Sequence, residues 1–258
     1  MSLTPALRSA RDAGLNPLVL APDSPHTREF ATLYQGLAEV EFLPAGHPRL
    51  SATLETSEPT CFSLRIMRAY GLTGSPIPHV EVTDDEYAGA VWFLTDVCKL
   101  KRGSIVAVAP SPGGARADFP DSHIANYRRW PLELRDRLIE RLHSQGLMPV
   151  RFGTRKTQAH IYQNNHEEIP GVLTIPDLSL RQVAACYSVI GRYVGTDTGD
   201  HHLALATGCK SDLWIPPSTW FYDHVKHLYG ADAWALAGEG EARERYHVYE
   251  REMPTILS

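Results

Sequence analysis

In the second part of the chain, two patterns of apolar residues alternate along the sequence. Short apolar runs rich in Val and Ile, typical of buried parallel strands, are separated by stretches in which apolar residues recur every three to four positions, as on one face of a helix. This alternation predicts an α/β fold with a doubly wound parallel sheet. Strands are predicted near Ile105–Ala109, Met148–Phe152, Val172–Ile175, Val189–Val194 and Asp212–Ile215, and helices near Pro131–Gln145, Lys156–Asn165, Leu180–Tyr187 and Asp200–Thr207.

The beginning of the chain repeats this pattern on a smaller scale. Thr4 and Pro5 have the residue types of a helix start, with a capping hydroxyl followed by a proline at the first helical position. A strand is then predicted at Leu18–Ala21, a helix over roughly Pro25–Gln35 and a second strand near Val40–Leu43. The order is again that of an alternating α/β unit.

A less regular region follows. Gly46–Pro59 is rich in Pro, Ser and Thr and predicts a loop, after which a short helix is expected around Phe62–Tyr70. Thr83 and Glu86 match a capping box, and the helix that they start should run to about Val97.

Lys99–Gly103 interrupts this helical pattern, and we place the domain boundary there. Residues 1–98 then form a reduced N-terminal α/β domain, and residues 99–238 form a second Rossmann-like domain. The polar segment 239–258 is predicted to be a helical tail that packs back across the first domain. Ligands of such a second domain collect beyond the carboxyl ends of its strands, so its chemistry is expected in the loops at that edge.

Composition narrows the class of protein. At 258 residues and 43% hydrophobic content, the chain can bury one large core or two small ones. No apolar run reaches the roughly 20 residues of a membrane helix and no export signal is present, so we expect a cytoplasmic protein that could also lie peripherally on the inner membrane. The net charge of −5 argues against broad coating of nucleic acid. The four cysteines have no zinc-site spacing and are expected to be reduced: Cys61, Cys98, Cys186 and Cys209.

The clearest chemical signal is the turn Gly195–Gly199, which leads from an apolar strand directly into a helix that contains His202. A helix N-terminus binds phosphate through its free N–H groups and its dipole. Thr198 could add a hydroxyl donor, His202 could donate to a phosphate oxygen, and Asp197 could accept from sugar hydroxyls. The competing interpretation is a plain strand-to-helix turn in which Asp197 is a cap and His202 is a satisfied core histidine.

A second loop lies at the same predicted sheet edge. Pro110–Gly114 follows the strand that ends at Ala109, and Arg128-Arg129 opens the next helix. Two loops suited to phosphate binding on one sheet edge suggest a diphosphate between them. The planar guanidinium of Arg128 suits a leaving phosphate that carries negative charge. A solvated helix start is the alternative interpretation for both arginines.

Together these motifs resemble glycosyltransferase family 9, the ADP-heptose:lipopolysaccharide heptosyltransferases. The resemblance covers the second domain from about Ser104 to Ser218, and it extends more weakly to Ser2–Arg8. The motifs that carry it, in the family's order and spacing, are Pro110–Gly114, Arg128–Pro131, Phe152–Thr154, Leu178–Leu180 and Gly195–Gly199 with His202.

The resemblance implies a GT-B fold, in which two Rossmann-like domains with parallel sheets face each other and the N-terminal one is reduced here. It implies that the C-terminal domain holds the donor, a nucleotide-diphosphate sugar, and that neither a cofactor nor a metal is needed. Asp197 would hold the donor sugar and Arg128 would take the place of the family's phosphate-binding lysine, and these two are the candidate catalytic residues. The remaining candidate donor-binding residues are Ser111, Gly113, Gly114, Leu178, Thr198, Gly199 and His202, with Leu178 at the nucleobase.

The chain departs from the family in two places. Relatives begin with a strand that ends in a Gly-Asp turn, whose aspartate is the expected catalytic base, and this sequence starts after that point. Either its natural beginning is missing, or the base is supplied from elsewhere, or the protein binds the donor without efficient transfer; the nearest substitutes are Asp23, Asp118 and Asp121. Thr154–Gln158 also lacks the acidic residues with which heptosyltransferases contact the ribose, so the donor is not fixed by the resemblance.

The function expected from these features is inverting transfer of a heptose-like sugar to a glycan or lipopolysaccharide-type acceptor. A modified nucleic-acid base or a small molecule is an alternative acceptor, for which the acidic net charge is unfavourable. An impaired nucleotide-sugar binding protein is a further alternative. Asp197–His202 contains possible metal ligands, yet the main-chain turn explains these residues without a metal.

Overall fold

The computed structural model describes residues 4–50, 66–67, 69–73, 79–109, 130, 132–153, 168–196, 198–215 and 244–248. The predicted helix at Lys156–Asn165 lies outside these residues. The first elements along the chain are α1 (Thr4–Asp12), β1 (Leu18–Pro22), α2 (Pro25–Ala31), a 3₁₀ turn (Thr32–Tyr34), β2 (Glu39–Leu43) and a second 3₁₀ turn (Pro48–Leu50).

These elements form a small parallel unit. β1 and β2 pair in parallel from Leu18 opposite Glu39 to Pro22 opposite Leu43. α2 begins where expected, because the Ser24 hydroxyl accepts from the Thr27 N–H and a proline occupies the first turn. The N-terminal α/β unit predicted from the sequence is therefore present.

The next helix, α3 (Asp84–Trp92), begins at the predicted capping box and continues as a π-helical turn over Phe93–Val97. The Thr83 side chain accepts from the Glu86 N–H, while the Glu86 carboxylate accepts from the Thr83 N–H at 2.9 Å. Leu94 is fully buried within the π-helical turn. The chain then enters the larger sheet.

The larger sheet has six strands. Its elements in chain order are β3 (Ile105–Ala109), α4 (Leu132–Ser144), β4 (Met148–Gly153), β5 (Leu173–Pro176), α5 (Leu180–Ile190), β6 (Arg192–Gly195), α6 (Gly199–Ala206), β7 (Lys210–Ile215) and β8 (Glu244–Val248). The strand order is β5-β4-β3-β6-β7-β8, and every neighbouring pair is parallel. This is the doubly wound order of dinucleotide-binding folds, in which the direction of winding reverses between β3 and β6. The predicted fold class is confirmed.

Both faces of the sheet are covered. Ile105, Ala107 and Ala109 of β3 face a core shared with α3, α5 and α6. Val106 and Val108 face the opposite side, where they pack with Trp130 and α4. Because β3 is buried on both sides, its sequence is a continuous apolar run rather than an alternating one.

One strand boundary and one element type differ from the sequence prediction. The strand expected from Val189 begins only at Arg192, because α5 continues through Ile190 and ends at Gly191, whose φ of 68° is left-handed. The helix expected over 239–258 is also wrong for its described part, because residues 244–248 are strand β8, paired with β7 at the edge of the larger sheet. Apolar residues of a helix end and of the following strand form one unbroken run here, so hydrophobicity alone could not divide them.

The first part of the chain is bonded directly to the helices of the larger sheet. The Leu180 N–H at the start of α5 donates to Glu29 Oε1 on α2, at 3.1 Å. Arg181 pairs with Glu86 of α3 through two hydrogen bonds, one of them 2.8 Å from Nε to Oε1. The Val80 N–H donates to the Ala206 carbonyl at the end of α6, at 2.8 Å. α5 and α6 are thus held from outside the sheet as well as by it.

Candidate functional site

The carboxyl ends of β3 and β6 meet at the point where the winding reverses. Ala109 lies opposite Gly195 in the ladder, and the Thr196 N–H donates to the Ala109 carbonyl at 3.0 Å. In doubly wound folds the crevice at this point receives the ligand. The turn that begins at Gly195 leaves the sheet from one of these strand ends, and Pro110–Gly114, which follows Ala109 in the sequence, lies outside the described residues.

The turn after β6 is capped by its own threonine. Thr198 is the N-cap of α6, where its hydroxyl oxygen accepts from the His201 N–H at 3.4 Å and its carbonyl accepts from the His202 N–H at 3.2 Å. Thr198 is buried. The Thr198 hydroxyl is therefore the N-cap of α6, a role that the alternative interpretation of the sequence gave to Asp197.

The first two amides of α6 are left open. The Gly199 and Asp200 N–H groups make no hydrogen bond to any other described residue, as expected for the first turn of a helix. Gly199 is exposed, and a Cβ placed on it would meet no atom within 4 Å. Two amides without a hydrogen-bond partner among the described residues thus lie at the positive end of the helix dipole, an arrangement suited to an anion.

Tyr193 supports this turn from below. It is fully buried, and its hydroxyl donates to the Thr196 carbonyl at 3.2 Å and lies 3.4 Å from the Thr198 hydroxyl. Its ring fills the place that a side chain on Gly195 would need. Gly195 is required for close packing, therefore, rather than for a left-handed backbone.

A buried polar contact reaches the same helix from α5. The Tyr187 hydroxyl donates to Asp200 Oδ1 at 3.1 Å. Burial raises the pKa of Asp200 above its ordinary value, against the opposing effects of the Tyr187 hydrogen bond and the Arg151 charge. Burial, together with the nearby Asp200 charge, raises the pKa of Tyr187 well above its usual value, so Tyr187 remains a neutral donor.

Aromatic rings continue this support across the sheet. The Tyr187 ring packs edge to face against Phe152, with centroids 5.2 Å apart, and against Tyr193 at 6.1 Å. The buried ring of His201 lies 5.9 Å from Tyr193 and 5.1 Å from the partly buried ring of His202. The start of α6 thus rests on a chain of packed rings and is held in one position.

The nucleobase candidate Leu178 lies at a different strand end. It follows β5, is partly buried and packs against the main core. Asp177 before it has a left-handed backbone with φ 63°, and its N–H donates to the Gly153 carbonyl at 3.0 Å. Ser179 after it caps α5 through a capping box with Gln182. Leu178 therefore lies at the same edge of the sheet as the β6 turn, separated from it in the strand order by β4 and β3.

The described candidates thus form one compact group and one outlying residue. Thr198, Gly199 and His202 lie on a single helical turn, and Leu178 lies along the same edge. The remaining candidates fall outside the described residues: Ser111, Gly113, Gly114, Arg128 and Asp197. The substitutes Asp118 and Asp121 fall outside them too.

The third substitute for the catalytic base, Asp23, is described and is exposed. Its two carboxylate oxygens accept from Arg28 Nε at 2.7 Å and Nη2 at 2.9 Å. The hydrogen bond from Arg28 lowers the pKa of Asp23, which makes it a weaker base. Asp23 is a paired surface aspartate.

Sequence reasoning missed the residues beneath the turn, namely Tyr187, Tyr193 and Asp200. One signal was available for Tyr193, because side chains two apart on a strand share a face and a large ring next to Gly195 has room to lie over it. Tyr187 and Asp200 belong to different helices, so their spacing in the sequence does not predict the contact.

The described part of the chain holds no group of three or more His, Cys, Asp or Glu side chains placed to bind a metal ion. Within the same residues, every helix is too short or too polar to cross a lipid bilayer.

Residues 119–211 match the model of glycosyltransferase family 9 (heptosyltransferase). A family 9 glycosyl transferase from Veillonella parvula is similar in structure, with a TM-score of 0.50 and 15% identity over 95% of this chain and 75% of that one. The E. coli ADP-heptose lps heptosyltransferase II is similar with a TM-score of 0.52 and 15% identity, over 93% of this chain and 70% of that one.

No curated protein matches the sequence. The two structural likenesses support the GT-B type of fold, and the family match falls on the segment that contains β6 and the start of α6. Residues 119–211 are accordingly similar to glycosyltransferase family 9 (heptosyltransferase), and the chain as a whole has the fold type of the two solved structures.

Proposed function

We propose that this glycosyltransferase moves a heptose-like sugar, with inversion, from a nucleotide-diphosphate donor to a hydroxyl of a glycan or lipopolysaccharide-type acceptor. The observation that carries the proposal is the open first turn of α6 at the reversal point between β3 and β6. Its two unpaired N–H groups and the space over Gly199 suit a diphosphate.

The donor would lie along the carboxyl edge of the larger sheet. Its diphosphate would accept from the Gly199 and Asp200 amides, with His202 as a further donor at the open side of the helix. Its base would lie toward Leu178, at the end of β5. The proposal also gives Ser111, Gly113 and Gly114 to the diphosphate and Asp197 to the sugar hydroxyls, as the family resemblance implies.

The chemistry asked of these groups is stabilisation of the leaving diphosphate. An acceptor oxygen forms a bond to the anomeric carbon while the bond from that carbon to the diphosphate oxygen breaks, and a general base takes the acceptor proton. Negative charge then grows on the diphosphate, next to the α6 amides and Arg128. Fixed donors suffice for this step, so the proposal includes neither a metal nor a cofactor.

Gly199 offers a direct test, because a Cβ there would meet no atom within 4 Å, and a side chain there would enter the proposed ligand space. We would compare Gly199→Val with Gly89→Val, a matched change at an exposed glycine of α3 that also has open space. Binding is measured by thermal shift with a panel of ADP-, UDP- and GDP-sugars, and turnover by release of the nucleoside diphosphate.

We expect at least one nucleotide sugar to stabilise the wild-type protein, and Gly199→Val to weaken that binding by about 10-fold or more, a loss of at least one strong contact. Gly89→Val should bind as the wild type does. If no nucleotide sugar shifts the melting temperature, or if Gly199→Val binds normally, the donor site is elsewhere.

A further inference from the structure

A carboxylate from the first part of the chain reaches the carboxyl edge of the larger sheet. Glu29 lies on α2, and its Oε1 accepts from the Leu180 N–H at 3.1 Å. Leu180 is two residues beyond Leu178, and both leucines pack, together with Phe30, against the same core. α2 therefore delivers its carboxylate to the start of α5, next to the residue to which the proposed function gives the nucleobase.

One oxygen of this carboxylate is fixed and the other is open. The fixed oxygen is Oε1, which caps the first amide of α5, while the Gln182 N–H of the same turn is bonded by the Ser179 hydroxyl. Glu29 is exposed, and its Oε2 accepts no hydrogen bond from any described residue. The Leu180 contact thus holds the carboxylate in place and leaves an acceptor for a further partner.

The spacing of the strands places this carboxylate along the proposed donor. β5 is separated from β6 by β4 and β3, so the ends of β5 and β6 lie three strand spacings, about 14 Å, apart. An extended nucleoside diphosphate covers such a span, with its ribose between the base and the phosphates. With the base at Leu178 and the diphosphate at the α6 turn, the ribose lies toward the β5 end of this edge, where Glu29 is fixed.

A carboxylate is a suitable partner for ribose. Doubly wound nucleotide-binding folds commonly use an Asp or Glu side chain to accept from a ribose hydroxyl. The stretch that follows β4 in the sequence, Thr154–Gln158, contains neither residue type. A hydrogen bond to a charged acceptor is also stronger than one to a neutral acceptor. Glu29 therefore offers, from outside the sheet, the chemistry that this stretch lacks.

We propose that Glu29 is a specificity-determining residue whose open Oε2 accepts from the ribose hydroxyls of the nucleotide donor. The inference rests on the proposed donor site. It makes the first part of the chain a partner in donor binding, because the ribose would be held by α2 while the base and the diphosphate are held by the larger sheet and its helices.

The test compares a nucleoside diphosphate with its 2′,3′-dideoxy analogue, which lacks both ribose hydroxyls. ADP, UDP and GDP are each titrated calorimetrically beside the matching analogue, and the quantity measured is the ratio of the two dissociation constants. Glu29→Ala removes both carboxylate oxygens. Glu29→Gln can keep an oxygen at the Leu180 N–H, which leaves an amide nitrogen in place of the open oxygen. Glu86→Gln is the matched control, because it weakens another contact of α5 with the first part of the chain and leaves the Glu29 side chain unaltered.

We expect the wild type to bind the ribose form about 10-fold more tightly than the dideoxy form, as one hydrogen bond to a charged group would produce. This preference should nearly vanish in Glu29→Ala. It should fall to about 3-fold in Glu29→Gln, because a neutral partner makes a hydrogen bond about half as strong. Glu86→Gln should keep the wild-type ratio.

Equal binding of the two forms by the wild type would overturn the inference without any variant. So would a Glu29→Ala protein that is less stable but keeps the wild-type ratio, since Glu29 would then only join α2 to α5. Asp177→Asn is measured as well, because Asp177 is the other carboxylate beside Leu178, and loss of the preference there alone would assign the ribose to Asp177. In these three cases binding of the nucleoside diphosphate leaves the donor site intact. Failure of the wild type to bind ADP, UDP or GDP would count against the proposed function, and the inference would fall with it.

Discussion

The hydroxyl of Tyr193 stands where a side chain on Gly195 would have to be. A Cβ built on Gly195 would lie 2.5 Å from Tyr193 Oη and 2.8 Å from the Ala109 carbonyl oxygen. The tyrosine ring could turn away only by leaving its buried position, and the carbonyl belongs to the central strand of the sheet. The packing of Tyr193 beneath the turn that begins α6 thus requires a glycine, without a Cβ, at position 195.

Gly195→Ala is therefore expected to lower the free energy of unfolding by about 1–3 kcal/mol, the usual cost of forcing an additional carbon into a packed core. Urea unfolding measures the change. Gly89→Ala should instead be neutral or stabilising by up to about 1 kcal/mol, since Gly89 is an exposed helical glycine with open space around it. Equal effects of the two changes would contradict the packing described for Tyr193.

The Glu86–Arg181 pair joins α3 to α5 and should matter for stability. Arg181 is largely buried, with 12% of its side chain exposed, and its Nη1 has no hydrogen-bond partner in the described part of the chain. Glu86→Gln would leave the guanidinium without its counter-charge, at a cost of about 1–3 kcal/mol at pH 7. Glu81→Gln, at the exposed partner of Arg11, should cost less than about 0.5 kcal/mol.

The same pair predicts a pH dependence. Burial acts to raise the pKa of Glu86, but the hydrogen bonds from Arg181 and Thr83 outweigh it and hold the pKa below its ordinary value. A lowered carboxyl pKa contributes stability that is complete above the ordinary value near 4.3 and is lost as pH falls through the lowered one. Urea unfolding at pH 7 and at pH 3.5 should show the gap between wild type and Glu86→Gln closing in acid. A gap that stays constant would mean that the ion pair contributes through shape alone.

The contribution of Asp200 to stability should change with pH in the direction opposite to that of Glu86. Its pKa is raised, mainly by burial, so its charged form costs stability above the raised pKa, and this cost disappears as pH falls below the ordinary value near 3.9. Asp200→Asn is expected to unfold at a higher urea concentration than the wild type at pH 7, with the difference shrinking toward pH 4. A less stable Asp200→Asn would instead mean that the carboxylate, with Tyr187, stabilises the helix start.

Two thiols are expected to be inert in the folded protein. Burial raises the pKa of Cys186 and of Cys209 to about 12 in each case. At pH 8 only roughly one part in ten thousand of either thiol is then ionised, and the thiolate is the reactive form. Iodoacetamide followed by peptide mass spectrometry should label both residues in guanidinium and neither in native buffer. Labelling of the native protein at the rate of a free cysteine would show that this core opens.

The sequence was sufficient for the larger sheet because its signals are local. The central strand β3 is an unbroken apolar run, and α5 and α6 begin at the capping residues Ser179 and Thr198. The parallel arrangement followed from the alternation of elements. Its strand order, with β3 and β6 adjacent, follows the general rule for doubly wound sheets, and so the edge at which we propose the ligand binds was predictable too.

The contacts that support the turn and its helices could not be predicted from the sequence, because they join elements that are distant in the chain. Arg181 meets Glu86 and Tyr187 meets Asp200 only after α3, α5 and α6 have packed. The strand at 244–248 is a similar case, since a polar segment pairs with β7 by main-chain bonds that do not depend on its side chains. Local patterns predicted the candidate binding groups, and the packing of distant elements determines what holds those groups in place.

The central position of β3 also has a consequence for synthesis. β6 begins at Arg192, roughly 80 residues after β3 ends, so a nascent chain growing at about 5–20 residues per second exposes one edge of this wholly apolar strand for about 4–16 s. During that interval the strand can pair with other chains as readily as with its own partner. We expect slow translation or high expression to send this protein into aggregates, and chaperones that shield apolar segments to raise its soluble yield.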